Sequence, residues 1–133
     1  MNPTTEDVKD LLASSAASVD ELIFGTNLFI GAMPDYPDLC ACLYDTGGPP
    51  PDEAVMGTYY PTFQARVRDG AGGYKTGYAL AQSIRNALHG LTQQTVNGTR
   101  YIYMYATSDI LHVGKDEKDR PLFTINFRAA KTG

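Results

Sequence analysis

Between residues 62 and 89 the apolar side chains change from every second position to every third or fourth, which commits the chain to mixed α and β structure. In Thr62 to Arg68, Phe63, Ala65 and Val67 alternate with Gln64, Arg66 and Arg68. That is the pattern of a strand with one buried and one wet face. After Gly70-Ala71-Gly72-Gly73, the residues Tyr74, Tyr78, Ala81, Ile84 and Leu88 recur at helical spacing, and Gly90 stands where a C-terminal cap favours positive φ. The spacing predicts a helix over 74–89 with one apolar stripe, which must lie on the apolar face of a sheet.

The flanking segments supply the rest of that sheet. Asn97-Gly98 is a strong signal for a type I′ hairpin turn. Beyond it, Tyr101, Tyr103 and Tyr105 alternate with Ile102 and Met104, and Phe123, Ile125 and Phe127 alternate with Thr124, Asn126 and Arg128. Phe123, Ile125 and Phe127 are expected to face the helices, with Thr124 and Asn126 facing out. Short strands are expected at 27–30 and 39–44, separated by the turn residues Pro34 to Asp38. Near the N-terminus, Thr4 or Thr5 is the expected cap of a helix over 4–18, with Glu6 and Asp7 in its first turn and Val8, Leu11, Leu12, Ala16 and Val19 as its stripe. Residues 45–61, rich in Gly and Pro, and the charged residues 108–120 read as long loops. The expected fold is α+β, with residues 1–133 as a single domain of mainly antiparallel β-sheet packed against two helices.

Composition narrows the function classes. A chain of 133 residues that is 43% apolar can bury a core without metal or disulfide staples. A formal charge of −4 and a pI near 5.0 oppose tight nucleic-acid binding, which needs a basic face. The stretch Leu22 to Pro34 falls short of the roughly 20 apolar residues of a membrane-spanning helix. The opening Met1 to Asp7 lacks the order of a secretory signal, so Cys40 and Cys42 are expected to be thiols of a protein folded in the cytosol of its host.

Chemistry-bearing motifs are few. Asp45-Thr46-Gly47 after an apolar pair is the string of small dimeric aspartic proteases, but Leu111-His112-Val113-Gly114 is a poor version of the supporting strand, and a mid-chain helix fits that all-β fold badly. An Asx-type turn explains Asp45 more simply. Gly70 to Thr76 lies between strand and helix like a phosphate loop, yet Tyr74 separates Gly73 from Lys75. Cys40, Cys42, His89 and His112 lack metal-ligand spacing, so no metal or cofactor is expected. Asn97-Gly98-Thr99 matches a glycosylation sequon that the hairpin turn already accounts for. Arg66 and Arg68 read as a solvated strand face or as contacts for a partner's carboxylates or phosphate.

In order, the strings NLFIGAMPDYPD, LYDTGGPPPD, PTFQARVR, Y…A…I…ALHGL and GKDEKDRPLFTINFR resemble the tail terminator proteins of long-tailed bacteriophages, also described as tail completion or minor capsid proteins. The likeness spans roughly residues 22–128. It implies a non-enzymatic α+β protomer, a hexameric ring capping the tail tube, and a place in the virion tail or neck after assembly in the host bacterial cytoplasm. The implied partners are further copies of the chain, the tail tube protein and the head-tail connector or stopper, with DNA only passing through the channel and no membrane. Candidate interface residues are Tyr44, Asp45, Thr46, Gly47, Gly48, Arg66, Arg68, Lys115, Asp116 and Glu117. Readings from other classes are a dimeric aspartic protease using Asp45 and a non-catalytic adaptor domain.

Overall fold

The computed structural model describes residues 1–51 and 57–132. Its elements are α1 (Thr4–Leu12), β1 (Leu28–Ile30), β2 (Cys40–Gly47), β3 (Thr58–Tyr59), β4 (Thr62–Arg68), α2 (Tyr74–Leu88), β5 (Leu91–Val96), β6 (Thr99–Ala106), β7 (Leu111–Lys115) and β8 (Pro121–Thr132). The strands form one sheet in the order β1-β2-β4-β8-β6-β5, with β3 and β7 also pairing with β8. All pairs are antiparallel except β1 with β2. The α+β, mainly antiparallel architecture is the one expected.

The period-two residues of β4 and β8 build the core. Phe63, Ala65, Val67, Phe123, Ile125 and Phe127 are fully buried, and Phe63 stacks on Phe127 with ring centroids 4.9 Å apart. Helix α2 covers this face with Leu80, Ala81, Ile84 and Leu88, as its stripe predicts. Its approach is closest at Gly77, where a Cβ would stand 3.0 Å from the Phe123 ring. Asn126 faces solvent as expected, but Thr124 is only 5% exposed. It lies in a row between Arg66 of β4 and Leu111 of β7, and that crowding from both sides buries it.

Several boundaries differ from the sequence expectation. Helix α1 stops at Leu12 rather than at residue 18. The Ser14 hydroxyl takes the Leu11 carbonyl at 2.7 Å, a bond that competes with helix propagation. Ala17 and Val19 still reach the core from non-helical backbone, and Ala16 is exposed. The 45–61 segment is not wholly loop, since β2 runs on to Gly47 and β3 pairs with the end of β8; residues 52–56 of that segment lie outside the described residues. The 108–120 segment contains β7, an edge strand on β8. Asn97 and Gly98 take φ of 51° and 78°, the paired left-handed residues a type I′ turn requires. A register shift between Tyr101 and Tyr103 breaks the tyrosine alternation. Tyr101 therefore joins the core, while Tyr103 and Tyr105 lie beside each other at 5.4 Å on the opposite face.

Candidate functional site

The sheet face turned away from the helices is the most chemically distinctive surface of the molecule. Cross-strand register places Tyr44 of β2, Gln64 and Arg66 of β4, Asn126 and Arg128 of β8, and Tyr105 of β6 on that face. The Arg66 guanidinium sits over the Tyr44 ring at 5.4 Å, and Arg128 over Tyr60 at 5.6 Å. Burial, with a bond to the Cys42 thiol adding to it, pushes the Tyr44 phenol up to about 12, so Arg66 meets a neutral ring. Gln64 donates to Asn126 at 3.1 Å. The Nε atoms of Arg66 and Arg128 are buried without a hydrogen-bond partner. Half-buried tyrosines and arginines held by stacking are the residues that anchor protein–protein interfaces. Sequence reading found Tyr44 and Arg66 here but missed Tyr60, Tyr103, Tyr105 and Arg128, because only cross-strand register joins them.

The expected interface residues do not form one patch. Tyr44 through Gly48 lie at the end of the sheet where β2 meets Thr62, whereas Lys115, Asp116 and Glu117 lie at the opposite end, beside Pro121. Arg66 is half-buried between them. Arg68 is not on an open face: it is only 4% exposed and donates to the Pro37 carbonyl at 2.7 Å and the Asp38 carbonyl at 3.2 Å. The turn before β2 folds over that corner of the sheet and covers Arg68. Both cysteines are free and buried, and burial raises the Cys40 thiol above its ordinary range.

Asp116 belongs to a cluster centred on Arg120, which sequence reading did not single out. Arg120 bonds Asp116 at 2.7 Å, Asp35 at 2.9 Å and Asp38 at 3.2 Å, and Lys118 bonds Asp35 at 2.6 Å. Burial alone would lower the pKa of Arg120, but these carboxylates outweigh it and raise it. Lys118 first and Arg120 second hold the Asp35 carboxyl below its usual range. The β7–β8 turn is thereby pinned to the turn before β2.

The motifs that suggested catalysis have structural roles. Asp45 does not end an Asx turn. Its carboxylate accepts the Thr5 amide at 3.2 Å and the Thr5 hydroxyl at 2.8 Å, and so caps α1, whose own N-cap residue, Pro3, offers no side-chain bond. Helix α1 takes this long-range cap in place of one from Thr4 or Thr5. The segment Leu111 to Gly114 is separated from β2 by two intervening strands, β4 and β8, and does not support Asp45. The Asp69 carboxylate fills the space in front of α2: it accepts the Gly70 amide at 2.6 Å, and a Cβ on Gly73 would stand 2.6 Å from it. Asn97 donates its side-chain amide to Asp7 at 2.9 Å and to Asp10 at 2.8 Å, fastening the hairpin turn to α1. A cleft of about 510 Å³ beside the end of α2 is lined by Arg85, His89 and residues 106–109. Its polar groups are already engaged: Arg85 pairs with Asp109 at 2.5 Å, and His89 Nδ1 accepts the Ala106 amide at 2.9 Å. Among the described residues no cluster of three His, Cys, Asp or Glu is placed to hold a metal.

Comparison with known proteins then decides the family. The family model described as bacteriophage tail terminator protein matches residues 12–132. The chain belongs to the bacteriophage tail terminator family. It is a structural component of a virion and not an enzyme, which removes the protease reading. Among solved structures, a chain from the virion of a native gene transfer agent particle shares the terminator fold with a TM-score of 0.68 at 20% identity, over 96% of this chain and 93% of that one. A second solved chain matches with a TM-score of 0.54 at 12% identity, over 98% of this chain and 91% of that one. No curated protein matches the sequence. Among the described residues no helix of this terminator is long and apolar enough to cross a membrane.

Proposed function

We propose that this tail terminator works as a ring of six copies at the head-proximal end of the tail, closing the tail tube and presenting its other side to the head-tail connector or stopper. The observation that carries the proposal is the two-sidedness of the protomer. Helices cover one sheet face, while the other displays tyrosines and arginines stacked but not enclosed. A protomer that joins unlike neighbours needs such chemically different sides.

Size arithmetic excludes a ring of three and admits six. A compact chain of this length has a radius of gyration of about 14 Å, equivalent to a sphere roughly 36 Å across. Three such spheres enclose a hole only about 6 Å wide, and six enclose one of about 36 Å, which passes a duplex roughly 20 Å wide. Of the formal charge of −4 on each protomer, any acidic share that faces the channel repels passing phosphate and keeps DNA from adhering. Assembly takes place in the host bacterial cytoplasm, from which the ring enters the virion as part of the tail or neck.

The candidate contact residues are Tyr44 to Gly48 and Arg66 at one end and on the open face, with Lys115, Asp116 and Glu117 at the other end. The test is a cryo-electron micrograph of assembled tails carrying a labelled chain. Sixfold density at the head-proximal end is the expected result; a single copy there would favour the adaptor reading, and density elsewhere would refute the placement.

A further inference from the structure

We infer that Asn97 is a deamidation site gated by α1. While the helix is docked it restrains the Asn97 amide, and once that amide is lost the carboxylate left in its place keeps the helix from seating again. Asn97 and Gly98 form the turn between β5 and β6, both are exposed, and a Cβ on Gly98 would meet nothing within 4 Å among the described residues. An asparagine reacts with its own backbone most readily in this setting, since no side chain on the following residue shields the amide nitrogen that attacks. The reaction needs only water.

The electron pair of the Gly98 amide nitrogen forms a bond to the Asn97 side-chain carbonyl carbon, the Cγ–Nδ2 bond breaks, and ammonia leaves with the Gly98 amide proton. The product is a cyclic succinimide. Water then opens the ring at either carbonyl, giving aspartate or isoaspartate at position 97, and nothing is oxidised or reduced. In the folded chain two restraints oppose ring closure. The Asn97 side-chain amide donates to Asp7 at 2.9 Å and to Asp10 at 2.8 Å, charge-assisted bonds that must be released before the side chain can swing onto its own backbone. The pairing of Val96 with Thr99 also holds Asn97 and Gly98 at φ of 51° and 78°, which fixes the backbone that would have to turn to meet it.

The product suits the site as badly as the amide suits it well. Asp7 is fully buried, and its two oxygens take the Asn97 amide and the Tyr101 hydroxyl. Loss of the amide leaves Asp7 Oδ1 without a donor among the described residues and sets a new carboxylate against those of Asp7 and Asp10. The nearby cations already have partners: Lys9, 3.8 Å from Asp10, is bonded to Glu6 at 2.8 Å, and Lys131 donates to the Asn2 carbonyl at 3.1 Å. Helix α1, with nine residues, depends on such contacts to stay formed. Water cannot return the amide, so the change runs one way and marks a protomer whose helix has been loose.

Peptide mapping by mass spectrometry, during incubation of the purified chain at mildly alkaline pH, reads the one-dalton gain and the isoaspartate at position 97. Asp10 is exposed, and Asp10→Ala should deamidate at Asn97 about tenfold faster than the wild type. In urea, with α1 undone, the two chains should share one fast rate. Equal native rates for the two, or a wild-type rate that urea leaves unchanged, would overturn the gating. Hydrogen exchange of the α1 amides tests the second half. Exchange should be slowest in the wild type, faster in Asn97→Gly, which keeps the left-handed turn without a side chain, and fastest in Asn97→Asp, which is the reaction's own product. Exchange in Asn97→Asp no faster than in Asn97→Gly overturns the one-way latch.

Discussion

The Asp45 carboxylate holds the Thr5 amide at 3.2 Å and the Thr5 hydroxyl at 2.8 Å, joining the last turns of β2 to the first turn of a helix 40 residues earlier. Helix α1 has only nine residues, too few to persist alone in water. Its stability comes from this cap, from Val8, Leu11 and Leu12 in the core, and from Asp7, which is buried and accepts the Tyr101 hydroxyl at 2.5 Å.

Asp45→Ala should cost about 1 kcal/mol through loss of the cap, and Asp45→Asn, which keeps an acceptor oxygen for the Thr5 amide, should cost less. Urea midpoints at equal slope measure both. Peptide hydrolysis by the wild type that Asp45→Asn abolished would overturn the capping role.

Tyr101→Phe should cost about 1–3 kcal/mol, because it removes a donor from a buried carboxylate, whereas Tyr103→Phe should stay within about 0.5 kcal/mol. Burial, and then the bond to Asp7, raise the Tyr101 phenol well above its ordinary range. A folded-state pKa above the unfolded one gives stability that is complete below about pH 10 and is lost as pH rises further. Stability measured from pH 8 upward should fall less steeply in Tyr101→Phe than in the wild type.

Arg120→Gln should flatten the acid side of the stability profile. Lys118 and Arg120 lower the pKa of Asp35, and for Asp116 the Arg120 amide and guanidinium outweigh burial, which acts first and in the opposite sense. Lowered carboxylate pKa values give stability present above about pH 4 and lost as pH falls through the folded values. An unchanged acid midpoint in the variant would show that the cluster does not hold the two turns together.

Phe127→Ala should cost about 3–5 kcal/mol, for its ring is fully buried and stacked on Phe63. Asn126→Ala, one position along and exposed, should cost within about 0.5 kcal/mol. Similar denaturant midpoints for the two would contradict the register of β8.

Gly48→Ala should destabilise by more than about 1 kcal/mol. Gly48 has φ of +106°, and a Cβ there would stand 2.5 Å from the Tyr60 carbonyl oxygen. Thermal melts of this variant beside Gly98→Ala, where φ is also positive but nothing lies within 4 Å, separate the clash from the conformational strain.

Sequence alone determined what depends on residues close together in the chain. The period of two in 62–68 and 123–128, the helical stripe of 74–89 and the left-handed pair Asn97-Gly98 each set a local shape and a buried face, because side-chain direction follows from backbone geometry over a few residues. The order and spacing of short strings also pointed to the terminator family, where no single string is specific. Tertiary structure decided which polar groups meet. Arg68 looked like Arg66 in the alternation, yet a turn 30 residues earlier in the chain buries it. Edge strand β7 was hidden in a charged segment, since its pairing is with β8 and its apolar residues stay exposed. Asp45 was read as part of a turn because its partner, Thr5, is distant in sequence. Such pairings arise from strand register and packing between remote segments, and a pattern of neighbouring residues carries no record of that distance.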